Sequence, residues 1–104
     1  MVNIMQMMQK AQAAKQKVAE MQEKIRGIDV TGTAGSGAVT IIMNGRGQAQ
    51  SVRIKPEAAS DVAMLEDLVL VAINDARAKA DQHLADETQK IMKDLGLPPG
   101  LDLF

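Results

Sequence analysis

The sequence predicts an α+β chain in the order α-β-β-β-α, with a three-stranded antiparallel meander between two long helices. Three observations predict it: a heptad seam over residues 4–28, a change to a period of two between Ile28 and Lys55, and a return to helical spacing after Pro56. At 104 residues the chain is one domain by length, 1–104. It divides into a helical arm over 1–27, a sheet over 28–56, a long helix over 60–95 and an extended tail over 96–104.

The first helix is carried by Ile4, Met7, Ala11, Ala14, Val18, Met21, Ile25 and Ile28, spaced three and four in alternation. Such a stripe stays on one side of a slightly supercoiled helix and needs a long partner helix to bury it. Asn3 is placed to cap the start and Gly27 to stop the end. The helix is roughly 35 Å long, more than a compact body of this size needs, so it is expected to project as an arm.

In the sheet, Val39, Ile41 and Met43 alternate with Thr40, Ile42 and Asn44, and Val52 and Ile54 alternate with Ser51, Arg53 and Lys55. Val39, Ile41, Met43, Val52 and Ile54 are expected on the inner face. Gly32, Gly35 and Gly37 read as turn residues between the first two strands. Asn44-Gly45 reads as a type I′ hairpin before the third. Pro56 closes that strand because it has no N–H to donate.

Ser60 is the expected cap of the second helix. Its first half, with Val62, Leu65, Leu68, Val69, Ala72, Ile73 and Ala76, suits a sheet cover. The second half is polar, with Ala80, His83 or Leu84, Ile91 and Met92 as its sparse apolar positions, and it is expected to pair with the first helix. Gly96 ends it, and Leu97-Pro-Pro-Gly100 begins a tail that cannot be helical. Two helices alone make a thin arm, and dimerisation through the body would bring two arms together.

Composition narrows the function. There is no Cys, and therefore neither a disulfide framework nor a thiol nucleophile. The longest apolar run, Leu68 to Ile73, is too short to span a bilayer, and polar Gln6, Gln9, Lys10 and Gln12 interrupt any signal-peptide layout. No membrane association is expected, and the location is expected to be intracellular. The one aromatic residue, Phe104, leaves no platform for stacking unpaired bases, so any nucleic-acid partner should be duplex DNA, read through its backbone. His83 is the sole histidine and reads as a surface residue; the glycines lack the Lys-Ser/Thr ending of a phosphate loop; the carboxylates have no pocket to share. No enzyme, cofactor or small-molecule substrate is expected.

The net charge is −1, but it is unevenly spread. Residues 1–28 hold five Lys and Arg against two acids, whereas residues 56–104 hold ten acids against four cations. Lys10, Lys17 and Lys24 form a row at heptad position g, with Lys15 at e and Arg26 at b. The row can pair with acids on the neighbouring helix, such as Asp81, Asp86, Glu87 or Asp94, as flanking residues do in coiled coils. Alternatively, Lys10, Lys15, Lys17, Lys24 and Arg26 can face phosphates, with Lys90 and Lys93 helping from the other helix. Leu101, Leu103 and Phe104 are candidates for docking on a partner.

The chain resembles the YbaB/EbfC nucleoid-associated proteins along essentially its whole length. The likeness lies in the Met/Gln/Lys-rich first helix, Val30-Thr-Gly32 before a Gly-rich turn, and Val39-Thr-Ile-Ile-Met-Asn-Gly45 leading into Val52-Arg-Ile-Lys-Pro56. It continues in Met64-Leu-Glu-Asp-Leu-Val69, Ile73-Asn-Asp-Ala76 and the Leu97-Pro-Pro-Gly100 tail. The resemblance implies a homodimer with tweezer-like helical arms and a cytoplasmic bacterial protein that binds DNA at the nucleoid. It assigns DNA contacts to the arms, which adds Arg77 and Lys79 to the candidates Lys10, Lys15, Lys17, Lys24, Arg26, Lys90 and Lys93. A protein-interaction scaffold, its arms clasping another protein or helix, is the alternative.

Overall fold

The computed structural model describes residues 3–96. Helix α1 spans Ile4–Arg26, strands β1, β2 and β3 span Asp29–Ala34, Val39–Asn44 and Ala49–Ile54, and helix α2 spans Val62–Asp94. The α-β-β-β-α order is as expected. The extents are 69 × 21 × 16 Å, the shape of a small body carrying an arm.

Local chemistry sets the ends of the helices. The Asn3 side chain accepts from the Met5 N–H at 3.0 Å, and the Gly27 N–H donates to the Lys24 carbonyl at 3.1 Å. Lys24 and Arg26 in the last turn complement the helix dipole. Ser60 does not cap α2. Residues Pro56–Ser60 form a 3-10 turn in which Ser60 Oγ donates to the Glu57 carbonyl, and Asp61 takes the cap, accepting from the Met64 N–H at 3.1 Å. The proline fits the first turn of that short helix, which displaces the start of α2 by one residue. At the far end Gly96, at φ +68°, donates to the Lys93 carbonyl and closes α2. The tail expected over Leu97–Gly100 and the docking candidates Leu101, Leu103 and Phe104 lie outside the described residues.

The sheet is antiparallel in the order β1-β2-β3. The β2–β3 hairpin forms where Asn44-Gly45 stands, but not as a type I′ turn. Gly47 carries the positive φ, +83°, and Asn44 works through its side chain. Asn44 is 4% exposed; its Oδ1 accepts from the Arg46 and Gln48 N–H groups at 3.0 and 3.1 Å, and its Nδ2 donates to Gln48 Oε1 at 2.7 Å. Asn44→Ala, which leaves two backbone donors without that acceptor, is expected to lower stability by about 2 kcal/mol. Asn44→Asp, which keeps the acceptor, should lose less, both being read from urea midpoints.

The core lies between α2 and the first two strands. Val30, Ala34, Val39, Ile41 and Met43 pack against Ala72, Ala76 and Ala80, with Leu65, Leu68 and Val69 at the margin. The three alanines stand four residues apart and are fully buried, so no side chain holds the helix away from the sheet. Opposite them is Gly32. It is a strand residue rather than a turn residue, and its Cα faces the α2 backbone at Ala72 and Ala76 so closely that a side chain would overlap it.

That close seat over β1 and β2 leaves β3 bare. Val52 and Ile54 pair in register with Ile41 and Val39, on the expected face, yet they are 54% and 41% exposed because no element among the described residues covers them. Val62 and Ile73 of the expected sheet-covering face are exposed for the same reason.

The arm is a second, smaller core. Met21 and Ile25 pack against Ile91, with Ile28 and Leu95 beside them, so α1 lies antiparallel to the distal half of α2 as expected. The Gly45 N–H donates to the Ile25 carbonyl at 3.0 Å and ties the hairpin to the base of the arm. Only the C-terminal half of the seam is buried. Because α2 ends at Asp94 beside Lys17, residues 4–14 of α1 run on past it, and Ile4 is 72% exposed.

Candidate nucleic-acid interface

The candidate cations fall into three groups by what surrounds them. Lys10, Lys15 and Lys93 are exposed and form no ion pair among the described residues. Lys10 follows from the overhang of α1, since no described acid of α2 reaches that far along the arm, and Lys15 from its place at e, on the flank of the seam opposite the g row that meets Asp94. Their seam neighbours Met7 and Ala11 are exposed as well, so nothing among the described residues covers this end of α1.

The second group lies where α1 and the distal half of α2 face each other. Lys17 Nζ stands 3.6 Å from Asp94 Oδ2 and Lys24 Nζ 2.9 Å from Glu87 Oε1. Lys90 Nζ approaches the same Glu87 oxygen at 3.3 Å. Two members of the g row are thus engaged by acids of the neighbouring helix, Glu87 and Asp94 being among those the heptad reading named. Glu87 is the sheltered member, its side chain 13% exposed. The Lys24 ammonium bonded to it holds its carboxyl below the usual carboxylate range, Lys90 adding to this while burial opposes it. These side chains, with Glu20, Met21 and Ile91, line a cleft of about 250 Å³.

The third group is tied within the protomer. Arg26 pairs with Glu23 and Arg77 with Asp81, each along its own helix. Lys79 has a different task. Its Nζ donates to the Thr31 carbonyl at 2.8 Å and to Asp75 Oδ2 at 3.1 Å, while Asp75 Oδ2 accepts from the Thr33 N–H at 3.0 Å. The Thr33 N–H, and then Lys79, lower the Asp75 pKa from its ordinary value. The pair takes up the donor and the acceptor that β1 would offer another strand, and so closes that edge of the sheet. Nothing in the spacing of α2 announced this role.

Other cations on the body are also without an ion pair among the described residues. Arg46, beside Ile25 and Leu84 at the base of the arm, lines a cleft of about 170 Å³. Arg53 on β3 lies opposite Thr40, and Lys55 follows at the strand end. Residues 29–55 hold Arg46, Arg53 and Lys55 against Asp29 alone, and that excess is their only signal in the sequence. His83 is exposed on α2. Among the described residues no three His, Asp or Glu side chains are grouped to hold a metal ion, and no helix is long and apolar enough to cross a membrane.

Comparison with known proteins agrees with the resemblance. The family model described as the YbaB/EbfC DNA-binding family matches residues 1–95. A nucleoid-associated protein of Granulibacter bethesdensis is 38% identical over 105 residues, covering 99% of this chain and 98% of its own. One from Xanthomonas axonopodis pv. citri is 40% identical, covering 97% and 95%, and one from Chloroflexus aurantiacus is 49% identical, covering 83% and 87%. Among solved structures, an uncharacterized protein of Helicobacter pylori shares the fold at a TM-score of 0.82 and 17% identity, covering 88% of this chain and 99% of that one.

Proposed function

Because this chain belongs to the YbaB/EbfC DNA-binding family, we propose that it is a homodimeric nucleoid-associated protein that holds duplex DNA between paired helical arms. The contacts are mainly Lys and Arg to phosphate, and the protein works on the nucleoid in the bacterial cytoplasm, where it affects nucleoid organisation and gene expression. The observation that carries the reading is the overhang of α1, which sets Lys10 beyond the reach of any described acid on α2, while exposed Lys15, on the other flank of the seam from Lys17, forms no ion pair among the described residues. Free ammonium groups on a projecting arm bind phosphate without having to leave a carboxylate first. Lys93 joins them near the end of α2; Lys17, Lys24 and Lys90 are a reserve that must exchange partners, and Arg26, Arg77 and Lys79 are tied more locally.

The dimer reading rests on the uncovered side of the body. Asp75 and Lys79 close the β1 edge, whereas β3 is an open edge with exposed Val52 and Ile54. Exposed Val62 and Ile73, eleven residues apart on the flank of α2 away from Asp75, extend the apolar surface. A second copy covering this side would leave both arms free and make a two-armed clasp.

Titration of duplex DNA at several salt concentrations tests the function. Wild type should weaken steeply with salt, and Lys10→Ala/Lys15→Ala/Lys93→Ala should bind more weakly with a log–log slope shallower by about 3 per engaged protomer. Absence of binding at low salt overturns the proposal. The alternative, a scaffold whose arms clasp another protein, is favoured by one feature: Ile4, Met5, Met7 and Met8 are all exposed on the same overhang. It predicts that removing the three lysines leaves function intact whereas Met5→Gln/Met8→Gln does not.

A further inference from the structure

We infer that Glu87 is an internal anion that occupies the place of a phosphate between Lys24 and Lys90 and so restrains the DNA affinity of the arms. The inference rests on the DNA-binding reading and adds a control to the same surface. Two ammonium groups from different helices converge on one Glu87 oxygen, at 2.9 and 3.3 Å. Ammonium groups that bond a carboxylate oxygen this closely are equally suited to a phosphodiester oxygen, and here the protein supplies the oxygen itself.

The exposure of the partners makes exchange possible. Glu87 is sheltered, but the Lys24 and Lys90 side chains remain 57% and 67% exposed, so each ammonium can turn to solvent without unpacking the arm. An ion pair with one wet partner is worth little net, and a strand of phosphates can compete for it. What opposes exchange is the carboxylate left behind in the cleft. Its charge repels an approaching phosphate and would be without a partner once Lys24 and Lys90 had moved. Asp94 plays a lesser part toward Lys17, across a longer 3.6 Å gap and on a much more exposed side chain.

Glu20 lines the same cleft, yet no ammonium of the described residues stands within ion-pair distance of it. It therefore separates a contact effect from a change in net charge. Glu87→Gln keeps the size of the side chain and a hydrogen-bond acceptor while removing the charge.

The test is a salt-dependent titration of a 30-base-pair duplex of arbitrary sequence with wild type, Glu87→Gln, Glu20→Gln and Asp94→Asn, with Lys24→Ala placed in the wild-type and Glu87→Gln backgrounds. Glu87→Gln should bind about fivefold more tightly at moderate salt, with a slope steeper by up to about 2 per protomer as Lys24 and Lys90 engage phosphate. Asp94→Asn should shift the same way by less, and Glu20→Gln by less than Glu87→Gln. Lys24→Ala should cost more affinity in the Glu87→Gln background than in wild type. If wild type binds and Glu87→Gln binds no tighter than Glu20→Gln, or more weakly than wild type, the restraint is overturned while the function stands. If neither wild type nor Glu87→Gln binds at low salt, both fall. Should Glu87→Gln fail to fold, Asp94→Asn decides, since a variant at that exposed position that gains no affinity also overturns the idea.

Discussion

Gly32→Val is expected to prevent the body from folding, and Gly32→Ala to lower its stability by about 3 kcal/mol. A Cβ at this position would overlap the Ala72 carbonyl oxygen and the Ala76 nitrogen and would stand 2.6 Å from Ala76 Cβ. Two of these are backbone atoms of α2, which cannot swing aside as a flexible side-chain tip can. The helix would have to lift from the sheet, and the packing of Ala72, Ala76 and Ala80 against Val30, Val39 and Ile41 would be lost with it. A protein of this size has only roughly 5 to 10 kcal/mol of net stability, so the smaller substitution removes a large part of it. Urea unfolding followed by circular dichroism measures the loss. Gly27→Ala, where the added carbon would stand 3.6 Å from the Lys24 carbonyl oxygen, an ordinary contact, is the comparison and should be close to neutral.

Val52→Glu/Ile54→Glu should convert the proposed dimer to a folded monomer, raising the dissociation constant by about a thousandfold or more. Both side chains are exposed in the protomer, so charge at these positions leaves the protomer core untouched, and its secondary structure should be retained. Across a subunit boundary the same charges would be buried without partners on both copies, because a two-fold interface repeats each change. Sedimentation analysis gives the oligomeric state directly. DNA affinity should fall as well, since the second arm would no longer be held at high local concentration near the first. Wild type that sediments as a monomer at micromolar concentration, or a double variant that remains a dimer, would show that β3 is not the interface.

Much of the fold could be read from periodicity alone. The heptad spacing from Ile4 to Ile28, the alternation around Val39–Met43 and the Asn44-Gly45 and Gly96 breaks each depend on a few neighbouring residues, and each marks an element or boundary the structure contains. The misplacements share a cause. Ser60 and Asp61 are both good caps, and Pro56 decides between them by starting a separate turn. Asn44 adopts a side-chain-supported turn because Gly47, two residues beyond Gly45, supplies the positive φ. Gly32 looks like part of a flexible glycine run until Ala72 and Ala76, 40 and 44 residues later in the chain, are seen pressed against it.

The candidate site was legible as a set of cations and not as a surface. Lys10, Lys17 and Lys24 are equivalent in the heptad, yet Lys10 forms no ion pair among the described residues while Lys17 and Lys24 meet Asp94 and Glu87. That difference comes from the axial register of two helices whose paired residues, Lys24 and Glu87, lie 63 positions apart. By itself the sequence determined the order of the elements, the helical arm, the basic stripe upon it and the family. Only the tertiary structure decided which lysines are engaged, that Asp75 and Lys79 close one sheet edge, and that Val52 and Ile54 stay uncovered on the other. Periodicity is a property of the local backbone, whereas charge pairing and exposure depend on where distant segments come to rest against each other.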